Sequence, residues 1–165
     1  LQVTSYTRKS RRFSTYKGVV GRISPNRVNR RFNTCIPHQK ITTDTSEFKY
    51  YEPDEKGRVT IKKLYLDPFL DLWNLEVLSY VVSDRPSAKS IMTALGEAID
   101  VTNDCRYRRT FHSDRGWAYQ MNAYRYELKK NRIFQSMSRK GNCYDNSPME
   151  NYFGIMKQEM YYGKV

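Results

Sequence analysis

Val77-Leu-Ser-Tyr-Val-Val82 followed by Ala88-Lys-Ser-Ile-Met-Thr-Ala-Leu95 decides the fold class. The first run is short, β-branched and aromatic, and predicts a strand. Beyond it, Ala88, Ile91, Met92, Leu95, Ala98 and Ile99 recur at helical spacing, with Ser87 placed as an N-cap after Pro86. The hydrophobic period therefore switches from strand to helix here. Upstream of the switch everything reads as strand. Lys40-Ile-Thr-Thr-Asp-Thr45 alternates, and residues 48–51 extend it. Val59-Thr-Ile61 and Leu64-Tyr-Leu66 form a second strand that runs through Phe69 to Leu72, with turns at residues 52–57 and at Asn74. Close spacing makes these three strands an antiparallel meander. Downstream, strands and helices alternate. Residues 109–113 are a strand, and Met121, Tyr124 and Leu128 mark a helix. Residues 133–137 are a strand, and residues 138–146 a loop rich in Gly, Asn and basic side chains. Met149, Phe153, Met156 and Met160 line a last helix. The order β-β-β-α-β-α-β-α describes an α/β fold, a five-stranded mixed sheet with helices packed on it.

A chain of 165 residues with 14 Tyr, 7 Phe and 2 Trp can bury one core, which excludes wholesale disorder. No run approaches ~18 apolar residues, so no membrane partner is expected. The start, Leu-Gln-Val-Thr-Ser-Tyr-Thr, lacks both an initiator Met and the apolar run of a signal peptide, and reads as a fragment or processed chain. Cys35, Cys105 and Cys143 are too far apart to open a zinc site and read as free thiols of the cytoplasm.

The net charge of +12 is unevenly placed. Ten cations, Arg8, Lys9, Arg11, Arg12, Lys17, Arg22, Arg27, Arg30, Arg31 and Lys40, fall within residues 1–40, which contain no Asp or Glu. The remainder is nearly balanced. We expect residues 1–38 to be a basic arm and 39–165 a folded core domain. A cationic arm suits a polyanion, because each neutralised phosphate releases counterions. Nucleic acid is the expected partner, with Arg8, Lys9, Arg11, Arg12, Arg30 and Arg31 as contacts.

Three acids stand where a metal site could assemble. Asp44 interrupts a hydroxyl-rich strand, Asp114 follows the fourth strand, and Glu150 begins the last helix. Each has a structural alternative: a strand-ending turn for Asp44, a loop cap for Asp114. For Glu150 it is a capping box in Ser147-Pro148-Met149-Glu150. The chemical reading is phosphoryl transfer, in which two Mg²⁺ ions about 4 Å apart serve the attacking and leaving oxygens and need only a few carboxylates. Lys157 lies on the helix face of Glu150, about 10.5 Å along the axis, within reach of a phosphate. Arg139 and Lys140 form a second basic spot close by.

His112-Ser-Asp-Arg-Gly-Trp-Ala-Tyr119 and Gln135-Ser-Met-Ser-Arg-Lys-Gly-Asn-Cys-Tyr-Asp-Asn-Ser-Pro-Met-Glu-Asn-Tyr-Phe-Gly154 resemble the catalytic core of bacterial insertion-sequence transposases. The type resembled is made from two overlapping reading frames and belongs, with retroviral integrases, to the DDE superfamily. Thr42-Thr-Asp-Thr-Ser-Glu-Phe48 looks like the segment carrying that family's first catalytic Asp. Tyr16-Lys-Gly-Val-Val-Gly21 and Asn29-Arg-Arg-Phe-Asn33 resemble the linker ahead of the core. The resemblance implies an RNase H-like fold. It implies Asp44, Asp114 and Glu150 as catalytic, metal-binding triad, Mg²⁺ or Mn²⁺ as cofactor, and Lys157 on transposon-end DNA. Strand cleavage by water and strand transfer by the freed 3′-hydroxyl follow. The expected partners are transposon-end and target DNA, with at least a dimer in the synaptic complex, in the bacterial cytoplasm. Ile41-Thr42 stands where the family often has an aromatic residue. The upstream helix-turn-helix and the helix after the Glu-bearing one are not in the chain, so a core truncated at its C-terminal end is expected.

Other readings remain. A nuclease of the same fold would cleave without joining strands. A non-catalytic basic DNA-binding module would leave the acids structural. A tyrosine recombinase would use His112, Arg115 and Tyr144, but its catalytic domain is mostly helical.

Overall fold

The structure is a computed structural model and describes residues 21–161. Arg8, Lys9, Arg11 and Arg12 of the expected arm lie outside the described residues.

Among the described residues six strands and three α-helices follow in order: β1 (Lys40–Thr43), β2 (Ser46–Pro53), β3 (Val59–Asp71), β4 (Val77–Ser83), α1 (Ala88–Val101), β5 (Thr110–Ser113), α2 (Asn122–Lys130), β6 (Phe134–Met137) and α3 (Ser147–Tyr161). The five strands expected become six because the first one divides at Asp44-Thr45. Both halves pair antiparallel with β3 in one unbroken register: Thr43 faces Phe69, and Ser46 faces Leu66. The gap therefore sets Asp44 opposite Pro68. Proline carries no N–H to donate, which accounts for the lapse in the ladder at this point. β4 lines the other edge of β3. β5 pairs parallel with β1, and β6 parallel with β5. The sheet is mixed, with its antiparallel meander first, as the sequence predicts.

Period-two alternation sends side chains to two faces. On one, Ile41, Phe69, Phe111 and Met137 meet Ile91, Leu95 and Ile99 of α1 and Tyr124 and Leu128 of α2. Ser87 caps α1, its hydroxyl accepting from the Ser90 N–H at 3.0 Å. On the other face, Phe48, Leu66 and Leu70 meet Met149 and Phe153 of α3. The last helix thus docks through a smaller cluster than the first two.

Residues 21–38 run back over the β6 side. Ser24 Oγ bonds Gln135 at 2.7 Å, and the N–H groups of Arg27 and Val28 donate to Ser136 Oγ. At Gly21 any Cβ would stand 2.0 Å from the Gln120 carbonyl oxygen, so this contact requires glycine. The far ends of β2 and β3 project as an exposed ribbon closed by a turn with Gly57 at φ +73°. Where α3 ends, the Tyr161 hydroxyl accepts from the Lys49 N–H at 3.0 Å and donates to the Lys49 carbonyl at 2.9 Å, gripping the outer edge of β2. Cys35 and Cys105 are free thiols. No described helix is long and apolar enough to cross a membrane.

Candidate active site

The parallel register positions the two aspartates. Ile41 faces Phe111 and Thr42 faces His112. Carried two residues further, this register sets Asp44 beside Asp114, on adjacent strands that lie ~4.8 Å apart in a sheet. Both side chains fall on the α3 face, one pleat beyond Thr42 and His112.

A row of buried polar side chains underlies them. Thr42, His112 and Ser136 occupy successive parallel strands and are fully covered. Ser136 Oγ already accepts two backbone N–H groups, so its own hydrogen goes to His112 Nδ1 at 2.8 Å. The His112 proton then sits on Nε2 and is donated to the Asp145 carbonyl at 2.8 Å. Burial holds the imidazole down at about 4, so it is neutral at ordinary pH. Thr42 Oγ1 donates to Asn146 Oδ1 at 2.5 Å, and Asn146 Nδ2 donates to the Thr43 carbonyl at 3.2 Å. Strand β1 thereby grips the 3₁₀ turn Cys143–Asn146 that leads into α3. Glu150 follows about 6 Å along the helix from Asn146, on the side of the two aspartates.

Asp145 braces the same turn from behind. Its buried carboxylate accepts from Asn26 Nδ2, Arg30 Nε, the Arg139 N–H and both Nε and Nη2 of Arg139, all at 2.8–3.0 Å. The Arg139 and Arg30 guanidiniums hold it well below the usual carboxylate range. Arg139 and Arg30, expected as DNA contacts, are therefore committed to Asp145 in this conformation, though each keeps about half its side chain exposed (51% and 47%). Lys140 and Arg31 are exposed. The Lys157 Nζ stands 5.2 Å from the Phe48 ring centroid, on the α3 face.

Among the described residues the three acids meet no cation. None forms an ion pair among the described residues. Burial, then the charge of Asp114, pushes Asp44 well above the usual carboxylate range, with smaller contributions from Glu150 and Asp67; the Thr45 N–H offsets part of this. Burial also raises Asp114, against the Gly116 N–H that donates to its Oδ1 at 2.7 Å. Burial raises Glu150, which is the most exposed of the three. The capping box that would have occupied Glu150 does not form: Ser147 lies inside the helix, not at its cap, and no hydrogen bond joins the two side chains among the described residues. Asp44 and Asp114 are thus brought together, with Glu150 facing them across a wider gap. Among the described residues no three metal-ligating side chains close into a tight cluster. The donor set itself, hard carboxylate oxygens without counter-charge, fits a divalent cation such as Mg²⁺ or Mn²⁺.

Sequence reasoning passed over Asp145, Asn146 and Asp67. Asp67 is buried and accepts from Thr45 Oγ1 at 2.5 Å. The signal for the polar row was available: Thr42, His112 and Ser136 hold equivalent alternation positions in three strands, each next to a large apolar residue.

The integrase core domain family matches residues 36–143. The chain is 41% identical over 154 residues to the InsK protein of insertion sequence element IS150 from Escherichia coli K12, covering 93% of this chain and 51% of that one. It is also 41% identical over 156 residues to a transposase-like protein of Haemophilus influenzae, covering 94% and 67%. The chain thus spans about half the length of InsK. Among solved structures, the catalytic domain of Mos1 mariner transposase superposes with a TM-score of 0.60 at 13% identity, covering 78% of this chain and 63% of that one. The catalytic core domain of HTLV-2 integrase, in complex with magnesium, gives 0.54 at 17%, covering 74% and 70%. At these identities the likeness is one of fold, and that fold is RNase H-like.

Proposed function

Because the chain belongs to the integrase core domain family, we propose that it is the catalytic core of an insertion-sequence transposase, cutting DNA strands and joining them to a target. The observation that carries this reading is the side-by-side placement of Asp44 and Asp114, facing Glu150, with no ion pair to any of the three among the described residues. Asp44, Asp114 and Glu150 would hold the divalent metal, which when bound activates an attacking oxygen and stabilises a leaving one at a phosphodiester. The chain's own part is positioning. The sheet register fixes the aspartates, and the Asn146 tether fixes the helix that carries Glu150. Gly116 aims the Asp114 carboxylate through its N–H. Lys157 reaches a phosphate of the transposon end from the same helix. Lys140, Arg31 and the cations of residues 1–20 contact the DNA flanks, and Arg30 and Arg139 contribute the exposed halves of their side chains. Joining two ends requires at least two protomers, acting on DNA in the bacterial cytoplasm.

The test is Asp114→Asn in the full-length transposase. Mg²⁺-dependent nicking of element-end DNA should be lost; nicking at the wild-type rate would end the assignment. Strand joining by the wild type separates a transposase from a nuclease of the same fold.

A further inference from the structure

β5 and β6 are parallel, so both begin at the end of the sheet away from the carboxylates. The segments feeding them enclose a cavity of about 340 Å³ whose lining includes Arg106, Arg108, Arg109, Arg132, Tyr107 and Asn131. Its floor is Arg109, which is buried. Arg109 Nη1 donates to the Ile99 carbonyl and to Thr102 Oγ1, both at 2.8 Å, and Nη2 donates to the Asn131 carbonyl at 3.4 Å. None of these acceptors is a carboxylate. The nearest acid upstream, Asp104, bonds His38 Nδ1 at 2.6 Å. A guanidinium does not give up its proton in a protein, so the cavity floor carries a buried charge that no carboxylate contacts among the described residues, with Asp104 acting on it only through space.

The rim adds to it. Arg108 lies over the Phe134 ring at 3.6 Å and donates from Nε to the Arg132 carbonyl, which fixes its plane. Arg27 covers the same ring at 4.3 Å. Arg106 and Arg132 are exposed, and none of these arginines has an ion-pair partner among the described residues. Tyr107 stands exposed at the mouth. Guanidiniums held by ring stacking and backbone bonds, without an ion pair among the described residues, suit phosphate oxygens, which they bind bidentately.

We propose that this cavity is a second DNA-backbone site, in which Arg106, Arg108 and Arg132 take phosphodiester groups over the Arg109 floor, at the opposite end of the sheet from the acidic triad. That the polyanion is DNA rests on the function proposed above; the charge of the cavity does not. A duplex engaged here runs past the protein separately from the strand being cut.

The test is the paired substitution Arg106→Gln with Arg132→Asn in the full chain. Arg132 has φ +56°, a backbone state that Asn tolerates, and both side chains are exposed, so the fold is kept. Binding to random-sequence duplex is measured with metal chelated, from about 50 to 200 mM salt. The log–log salt slope should fall by about 2 and the affinity by about tenfold or more, equally for all sequences. Wild-type affinity and slope overturn the proposal. So does a loss confined to polyglutamate binding, which would assign the cavity to an acidic protein. Asp114→Asn should bind as wild type in this assay, so a failed nicking result and a failed binding result remain separate.

Discussion

Asp44 and Asp114 are neighbours by register: the parallel pairing of Thr42 with His112 continues to them, and neither has an ion-pair partner among the described residues. Their mutual repulsion, added to burial, is a cost the fold carries in the absence of bound metal.

Asp44→Asn removes that cost. We expect the melting temperature to rise by roughly 2–4 °C, the shift that ~1 kcal/mol gives a chain of this size, while nicking is abolished. Mg²⁺ or Mn²⁺ should raise the melting temperature of the wild type but not that of the variant. The pH dependence has a definite sign. The native Asp44 keeps its proton where the unfolded chain has released it, so wild-type stability falls as pH rises from the ordinary carboxylate value through the raised one. Thermal melts across pH with and without metal check both statements; an unshifted variant would contradict them.

The second pH limb runs the other way. His112 titrates at about 4 when folded and near its ordinary 6.5 when unfolded. Its contribution is complete above about 6.5 and is lost as pH falls toward 4, to the extent of roughly 3 kcal/mol. Asp145, held below its usual range by Arg139 and Arg30, adds a further loss only once pH drops beneath the ordinary carboxylate value. His112→Gln should flatten the upper part of this acid limb and spare the lower. Denaturant titrations from about pH 2 to pH 7 resolve the two; an unchanged slope in the variant would assign the limb to other groups.

Gly116→Ala tests the aim of Asp114. The added Cβ would stand 2.9 Å from Asp114 Oδ1 and 3.3 Å from the Tyr119 ring. The carboxylate must swing aside, and a displacement near 1 Å costs about 10²-fold in rate. The fold should survive, since no positive φ is involved. Nicking within a few-fold of wild type would show that the carboxylate has slack.

Phe153→Ala tests the docking of α3. Phe153 packs on Phe48 edge-to-face, at 6.4 Å between ring centres, in the smaller of the two clusters. Truncating a buried Phe costs about 3–5 kcal/mol. Hydrogen exchange should accelerate along α3 and leave α1 protected. Uniform acceleration would mean that the helix does not open by itself.

Much of this was legible beforehand. The period switch after Val82 gave the meander and the first helix, and Ser87 is the cap expected of it. The resemblance drew attention to Asp44, Asp114 and Glu150, and the fold sets them on one face. What escaped is what depends on tertiary register. Nothing local to Asp44-Thr45 announces that Pro68 will stand across from it and break the ladder. Asp145 reads as one polar residue in a Gly/Asn loop until Asn26 and Arg30, more than 100 residues upstream, close on it. The arginines of residues 106–132 disappear in a nearly neutral remainder, because charge counted along the chain says little about charge gathered in space.

The Tyr161 hydroxyl, seated on both polar atoms of Lys49, does for β2 what a neighbouring strand would do. An unshielded border of this kind invites another polypeptide to add itself and propagate. Tyr161→Phe would keep the ring and remove the seal, so the helix that carries Glu150 also guards the molecule against self-association.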